Sequence, residues 1–290
     1  MHDISWVLFY RTDALSTFFK CFPILGSQGF LMFTIALGYW AWNRRFFKEF
    51  VVLIAFAILL NSALKAYFMA PRPDVERLTP VATVSSYSFP SGDAQTVATY
   101  WFCLALWLRR TWFTVFSIVL VSLTAFSRIY LGMHFPEDVI CGFLLGGLTA
   151  WLHMRFRPYY PSSLTLWAVL YIVSSLTFCL YMGSDLNRLH IGLIGMMAGL
   201  LLGQRAIRER SYADAPTSIQ GKWMIALWGA FSLYALEKLL KVVMPMLPLD
   251  AYTEAFLSFF LITLYIIWGA PWCFDKLSCA RYRSPLRSLA

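Results

Sequence analysis

The sequence predicts an all-α polytopic membrane protein, and two observations support that prediction. Of the 290 residues, 59% are hydrophobic and only 13% are charged, whereas typical soluble domains carry about 25% charged residues. The apolar residues also form long blocks, and an apolar run of about 18 or more residues predicts a membrane-spanning helix. A large soluble protein with buried helices does not account for so many blocks separated by only short polar turns.

Nine apolar blocks follow one another along the chain, and we expect a bundle of about nine membrane-spanning helices. The chain then divides into an N-terminal interfacial segment (1–22), a helical core (23–160) and a C-terminal transmembrane extension with a cytoplasmic tail (161–290). The third, fifth and seventh blocks are short, and their assignment as spans relies on the motifs beside them. The predicted spans lie near 24–42, 49–69, 94–108, 111–130, 138–154, 164–182, 189–204, 222–242 and 252–270.

The two regions outside the core carry weaker signals. The first residues are expected to form an amphipathic helix in the membrane interface or a partly ordered tail. In the extension, Gly192, Gly195 and Gly199 form a stripe of small residues suited to close helix packing. The extension is expected to shape a lipid groove, form a homodimer contact or bind a partner, and the sequence does not choose among these. The apolar side of the N-terminal helix comprises Trp6, Leu8, Phe9, Leu15 and Phe18.

The net charge of +9 is distributed unevenly between alternate loops. Short loops rich in Lys and Arg stay in the cytoplasm, so the side with fifteen of the twenty-four basic residues is assigned to the cytoplasm. The other loops then face the periplasm, outside a bacterial-type inner membrane. This topological role explains the basic charge without a nucleic-acid partner. The fifteen residues are Arg44, Arg45, Lys48, Arg109, Arg110, Arg155, Arg157, Arg205, Arg208, Arg210, Lys222, Lys276, Arg281, Arg283 and Arg287.

Three cations lie near the outer ends of predicted spans. Lys65 and Arg72 close the second span, and Arg128 closes the fourth. Ionisable groups are costly in a membrane and indicate function by default. If they converge, the three form a site for a multiply charged oxyanion such as phosphate, because arginine offers paired donors and lysine adds a point charge. Ser91 and Gly92, just before the third span, would add a hydroxyl and helix-terminal N–H groups.

His134 and Asp138 precede the fifth predicted span and supply a candidate nucleophile. Four residues apart, they share a face if that helix begins near Pro136. A carboxylate bonded to one ring nitrogen fixes the tautomer and leaves the other nitrogen free to attack phosphorus. The structural alternatives are an ordinary helix-start pair for these two residues and snorkelling side chains for the three cations.

These positions resemble the motifs of the type 2 phosphatidic acid phosphatase superfamily, which includes membrane lipid phosphatases and shares its fold with vanadium haloperoxidases. The first motif, Lys-x6-Arg-Pro, matches Lys65 to Pro73, and the second, Pro-Ser-Gly-His, matches Pro90 to Gly92. The third, Ser-Arg-x5-His-x3-Asp, matches Ser127 to Asp138. The resemblance extends over about 24–155 and marks the core as a lipid phosphatase. It implies His134 as nucleophile, Asp138 as its partner, and phosphate binding by Lys65, Arg72, Ser91, Gly92 and Arg128.

Asp93 departs from this pattern, since the family has a histidine there that protonates the leaving oxygen. An aspartate could serve as that acid if its surroundings raised its pKa. Alternatively, the leaving group needs little protonation, which holds for a phosphate leaving from a diphosphate and not for an alkoxide. The substitution therefore favours a lipid diphosphate, such as a polyprenyl diphosphate, over phosphatidate. Loss of catalysis is a further alternative.

The predicted function is hydrolysis of a lipid phosphate or diphosphate at the periplasmic face through a phosphohistidine intermediate. The resemblance implies no metal and no cofactor, and the partners are the lipid substrate and membrane lipids. One alternative is a phosphotransferase that passes the phosphoryl group to another lipid. Others are an anionic-lipid transporter or a silent lipid-binding protein, neither of which gives His134 and Asp138 a purpose.

Overall fold

Long apolar runs form helices in a membrane protein because a helix satisfies its backbone hydrogen bonds internally. In the computed structural model, which describes residues 4, 6–73, 86–159, 164–182, 188–208 and 218–277, every regular element of those residues is helical. The helices are α1 (Trp6–Phe9), α2 (Asp13–Lys20), α3 (Gln28–Ala41), α4 (Arg44–Phe68), α5 (Gly92–Leu108), α6 (Thr111–Tyr130), α7 (Pro136–Phe156), α8 (Thr165–Met182), α9 (Arg188–Arg208), α10 (Ile219–Val243), α11 (Ala251–Leu264) and α12 (Ala270–Leu277).

The all-α membrane fold is confirmed, whereas the count of nine spans is not. Within the described residues, six helices are long and apolar enough to cross a membrane, or seven if the pair Asp13–Gly26 and Gln28–Ala41, bent by 51°, forms one span. Two predicted spans are too short for this test, because α5 has 17 residues and the apolar stretch of α8 covers only Thr165–Tyr181. The six helices are Arg44–Phe68, Thr111–Tyr130, Pro136–Tyr159, Arg188–Ile207, Ile219–Met246 and Ala251–Phe274.

The chain forms two compact units, and α3 and α4 are each divided between them. The first unit comprises Met1–Leu31 and Leu53–Ser162, and the second comprises Met32–Val52 and Ser163–Ala290. The predicted division into an N-terminal interfacial segment (1–22), a core (23–160) and a C-terminal extension (161–290) is a separate, functional division, and it stays a prediction.

In the first unit, α5 and α7 pack closely because glycines line their contact. A Cβ at Gly142 would lie 2.5 Å from the Ser91 carbonyl oxygen, and one at Gly146 would lie 2.4 Å from the Gln95 carbonyl oxygen. The same stretch of α5 is tied to α4 through Asn61, whose amide donates to the Gln95 side-chain oxygen at 2.9 Å and to the Pro90 carbonyl at 3.2 Å. These contacts fix the start of α5 against both neighbouring helices.

The N-terminal helices pack on the end of α6 and the loop after it. Val7 and Phe19 are buried against Tyr130, Leu131 and Met133. The Tyr130 hydroxyl accepts from the Thr12 backbone N–H at 3.2 Å and donates to the Tyr10 carbonyl at 3.4 Å. The Arg11 guanidinium donates to the Tyr130 carbonyl at 3.1 Å. The segment is therefore bound to the first unit by apolar and polar contacts together.

In the second unit, the predicted glycine stripe lies at a close helix contact, as expected. A Cβ at Gly195 would lie 2.3 Å from the Phe256 carbonyl oxygen, and one at Gly199 would lie 2.5 Å from the Phe260 carbonyl oxygen. Helix α11 continues into α12 through a wide π-helical turn, Tyr265–Gly269. Trp40 donates to the Ile266 carbonyl in that turn at 2.8 Å. The stripe therefore brings α9 into backbone contact with α11.

Candidate active site

The candidate site lies in the first unit, where four chain segments end or begin. Helix α4 ends near Lys65, and α6 ends at Tyr130, shortly after Arg128. Helix α5 begins with Ser91 as its N-cap residue. Helix α7 begins at Pro136, which occupies the first turn, where its fixed φ angle suits a helix and no N–H is needed. The helix boundaries thus gather the predicted residues at one set of helix ends.

His134 is buried and has polar side chains beside both edges of its ring. Its Nδ1 atom lies 3.2 Å from the Ser88 hydroxyl and 3.4 Å from Asp138 Oδ2. Its Nε2 atom lies 3.4 Å from Arg72 Nη1. The ring therefore has one nitrogen on the carboxylate side and the other on the guanidinium side.

The electrostatic surroundings keep His134 neutral near pH 7. Burial of the ring is the main cause that lowers its pKa from 6.5 to about 4. The hydrogen bond to Asp138 acts in the opposite direction, while the positive charges of Arg72, Lys65 and Arg128 add to the lowering. A neutral imidazole has a free lone pair, so the ring is in the state that nucleophilic attack requires. Because all three charges act on the ring, the three predicted cations lie near His134.

Backbone carbonyls hold two of those cations. The Lys65 ammonium donates to the carbonyls of Tyr87 and, at 3.1 Å, Ser88. The Arg72 guanidinium donates to the Met133 carbonyl at 2.8 Å and, through its Nε, to the Ser86 carbonyl at 2.7 Å. The segment around Ser88 and the loop before His134 are thereby connected through Arg72. Burial and the positive charge of Arg128 lower the pKa of Arg72, while the carboxylates of Asp138 and Asp93 act in the opposite direction.

The start of α5 offers a buried serine hydroxyl to an anion such as phosphate. The Ser91 hydroxyl is buried and has no hydrogen-bond partner among the described residues. The Ser91 backbone N–H, by contrast, donates to the Asp138 carbonyl at 2.9 Å. A Cβ on Gly92 would lie 3.0 Å from the Asn61 side-chain oxygen, so the backbone is close to its neighbour here. A helix N-terminus with a free hydroxyl is a common anion-binding arrangement.

Asp93 forms an ion pair with Arg128, and this contact was not foreseen from the sequence. Asp93 Oδ2 lies 3.0 Å from Arg128 Nη2, and the Asp93 side chain is 37% exposed. The Arg128 Nε atom is buried and has no hydrogen-bond partner in the described part of the chain. The guanidinium therefore contacts a carboxylate with one edge and keeps another donor unused.

The structure brings together all eight residues that the sequence singled out, and their catalytic roles stay predictions. Among the described residues, no group of three His, Cys, Asp or Glu side chains is arranged to hold a metal ion. Sequence reasoning missed Ser88, which is fully buried and donates from its hydroxyl to Asp138 Oδ2 at 2.5 Å. Its only signal was its position three residues before Ser91. The eight residues are Lys65, Arg72, Ser91, Gly92, Asp93, Arg128, His134 and Asp138.

Two family models match successive parts of the chain. The PAP2 superfamily model matches residues 46–162. A second model, described as the transmembrane extension of PAP2 superfamily phosphatases, matches residues 191–282. The matched regions correspond to the motif-bearing helices and to the helices that follow them.

Three curated relatives share this similarity. A dihydrosphingosine 1-phosphate phosphatase of Schizosaccharomyces pombe is 25% identical over 83% of this chain and 68% of its own length. Phosphatidylglycerophosphatase B of Bacillus subtilis is 32% identical over 46% of this chain and 70% of its own length. An undecaprenyl-diphosphatase of Sulfolobus acidocaldarius is 32% identical over 41% of this chain and 59% of its own length. All three names describe phosphatases, and the chain belongs to the PAP2 superfamily as a membrane lipid phosphatase.

Proposed function

We propose that the protein hydrolyses a lipid diphosphate through a phosphohistidine intermediate on His134. The observation that carries the proposal is that the two ring nitrogens of His134 have different partners. Its Nδ1 edge contacts Ser88 and Asp138, while Nε2 lies 3.4 Å from Arg72 Nη1. The atom free to attack is thus beside a cation suited to the oxygens of a phosphate. We assign this chemistry to the core at 23–160.

The reaction has two steps. In the first, the Nε2 lone pair forms a P–N bond to the terminal phosphorus, the bond from that phosphorus to the bridging oxygen breaks, and the lipid monophosphate leaves with the electron pair on that oxygen. In the second, a water oxygen attacks the phosphorus, the P–N bond breaks with its electron pair returning to Nε2, and inorganic phosphate leaves carrying the protons of the water. We assign charge stabilisation to Lys65, Arg72 and Arg128, because phosphoryl transfer is catalysed mainly by positioning and electrostatics. Ser91 and Gly92 would bind the same oxygens from the start of α5.

The preference for a diphosphate rests on Asp93. Its carboxyl is bound to Arg128 at 3.0 Å, where the resemblance implies a histidine acid. A lipid monophosphate leaving from a diphosphate needs little protonation, whereas the alkoxide leaving from a monoester needs an acid. The undecaprenyl-diphosphatase among the relatives supports this choice. The other two relatives are named for phosphate monoesters, so the substrate must be tested.

The test is phosphate release by the full-length protein, purified in detergent without added metal. The substrates are a polyprenyl diphosphate, a phosphatidate and a sphingoid base 1-phosphate, and the variants are His134→Asn and Asp93→Asn. Asp250→Asn is the matched control, because this exposed helix-capping carboxylate accepts from Tyr252 and Thr253 N–H groups and an asparagine oxygen can do the same.

The diphosphate should be the best substrate, and Asp93→Asn should retain most of the activity on it. A preference for a monoester together with a loss of about 100-fold in Asp93→Asn would instead make Asp93 the general acid. If no lipid releases phosphate, the hydrolase proposal fails. Transfer to a second lipid and transport would then be measured in turn.

We further propose that the site faces the periplasm. Within the first unit, the helix ends opposite the motifs carry Arg109, Arg110, Arg155 and Arg157, and basic ends stay in the cytoplasm. Reporter fusions that are active only outside the cytoplasm should be active after Arg72 and silent after Arg110. The reverse pattern would place the site in the cytoplasm.

A further inference from the structure

Ser88 contacts several residues of the candidate site, and the proposed reaction gives it no role. It is fully buried in the short non-helical segment before α5. Its backbone N–H donates to the Ala70 carbonyl at 2.9 Å, and its carbonyl accepts from the Lys65 ammonium at 3.1 Å. Its hydroxyl lies between Asp138 Oδ2, at 2.5 Å, and His134 Nδ1, at 3.2 Å. The side chain is therefore fixed in place by its own backbone contacts.

The donors and acceptors around this hydroxyl fit one proton arrangement. A carboxylate only accepts, so the Ser88 O–H donates to Asp138. Asp138 Oδ2 also accepts from the Phe135 N–H at 2.9 Å. The Ser88 oxygen and Asp138 Oδ2 then both present lone pairs to His134 Nδ1, at 3.2 Å and 3.4 Å. The proton of the neutral imidazole belongs on Nδ1, since an unprotonated Nδ1 would face two acceptors. This network assigns the lone pair to Nε2.

We propose that Ser88 is a positioning residue for His134, whose Nδ1–H it shares with Asp138 so that Nε2 stays unprotonated and directed towards the substrate phosphorus. This inference rests on the proposed function and adds a residue to it. Ser88 acts through His134 and Asp138 and does not itself touch the reacting atoms.

The Ser88 donor also limits how strongly Asp138 attracts a proton to the ring. Four charged groups act on His134: Asp138 favours its protonated form, while Arg72, Lys65 and Arg128 oppose it. With the Ser88 O–H gone, Asp138 has one donor fewer and interacts more strongly with the imidazolium, and this charged interaction outweighs the loss of the neutral Ser88 oxygen as an acceptor. The pKa of His134 should then rise, and the acid limb of the rate profile should move to higher pH.

The experiment compares Ser88→Ala with wild type on whichever lipid the wild type hydrolyses best. We expect kcat to fall about 10- to 100-fold, as for other groups that orient a functional histidine, with KM little changed. The acid limb of kcat/KM should move up by about half a pH unit or more. Ser88→Thr, which keeps the hydroxyl, should restore the wild-type limb.

Ser117→Ala is the matched control, because Ser117 is also fully buried in the first unit but donates only to the Phe113 carbonyl within α6. It should lose no activity per folded molecule and leave the pH profile unchanged. An acid limb in folded Ser88→Ala that coincides with wild type would overturn the proposal. If Ser88→Ala does not fold, Ser88→Cys replaces the strong donor with a weak one at similar volume. An acid limb of kcat/KM in Ser88→Cys that coincides with wild type would then overturn the proposal.

The two proposals fail in different ways. If wild type releases no phosphate and His134→Asn behaves identically, the proposed function is wrong and the role of Ser88 falls with it. If His134→Asn is inactive while Ser88→Ala has wild-type kcat and pH profile, the histidine mechanism stands and Ser88 is only structural.

Discussion

Both units contain a buried histidine, and the hydrogen-bond partners of His134 and His190 differ. His134, in the first unit, is 2% exposed and contacts Ser88, Asp138 and Arg72. His190, in the second, is 1% exposed. Its ring lies 5.2 Å from the Phe178 ring, and neither ring nitrogen has a hydrogen-bond partner among the described residues. The proposal that His134 is the nucleophile therefore rests on its oriented polar partners and not on burial, which His190 shares.

Replacing His134 should have the largest effect and tests the comparison most directly. His134→Asn keeps a polar side chain of similar size but has no nucleophilic nitrogen, so phosphate release should fall by at least about 1,000-fold. The measurement is steady-state hydrolysis, with thermal unfolding as the control for folding. Activity within tenfold of wild type would exclude a phosphohistidine at this position.

Acid should remove activity through the same residue. Because the pKa of His134 is lowered to about 4, mainly by burial, kcat/KM should fall about tenfold for each pH unit below 4. Between 6.5 and about 4 the unfolded chain binds the proton more readily than the folded one. The stability that His134 contributes is thus fully present above 6.5 and is lost as pH falls towards 4.

The pH dependence is checked with rate profiles and with unfolding measured at pH 7 and pH 4.5. His134→Asn serves as the control, because it should show a smaller loss of stability between those two values. A limb near 6.5 in the wild type would contradict a buried, neutral ring.

A matched pair of glycine substitutions separates catalysis from packing. Gly146→Ala and Gly199→Ala add a methyl group 2.4 Å and 2.5 Å from a backbone carbonyl oxygen, so each should destabilise its unit by about 1–3 kcal/mol. Only the first shifts α5 against α7, and with them Ser91 against His134. Since misplacement by about 1 Å can cost 100-fold, Gly146→Ala should lower kcat about tenfold or more. Gly199→Ala should leave kcat per folded molecule unchanged; equal losses in both would contradict the distinction.

The smallest effect is expected from the second histidine. His190→Leu replaces a buried ring whose nitrogens have no described partner with an apolar side chain. Removal of unsatisfied polar atoms should leave stability unchanged or raise it by about 1–3 kcal/mol, with kcat as in wild type. Thermal unfolding and hydrolysis measure both, and a loss of activity would show that His190 has a function the structure does not reveal.

The sequence predicted those parts of the site that depend on helix ends. Proline and serine are favoured at helix starts, as at Pro136 and Ser91, and the apolar runs that end near Lys65 and Arg128 are visible by composition. Ser88 could not be found in this way, because its role depends on contacts with Ala70 and Asp138 that only tertiary structure creates. The Asp93–Arg128 pair is similarly non-local, since 35 residues of chain separate its members.

The fold, like the site, could be predicted from the sequence only in part. Hydrophobic blocks correctly predicted helices, and the glycine stripe of α9 correctly predicted a close contact. The number of spans was less accessible, because it depends on helix length and on the bend after Gly26, which composition does not encode. The docking of Val7 and Phe19 on Tyr130 and Met133 could not be read from an amphipathic pattern either.

That N-terminal docking bears on how the protein can be shortened or tagged. The PAP2 superfamily model begins at residue 46, which invites trimming to the matched region for expression. Such a cut would uncover Tyr130, Leu131 and Met133 and remove the bonds from Thr12 and Arg11 to Tyr130. Met133 directly precedes His134, so the trimmed protein would lose packing contacts beside the proposed nucleophile. Fusion partners are better attached at the other terminus, and shortened versions should retain the chain from at least Val7.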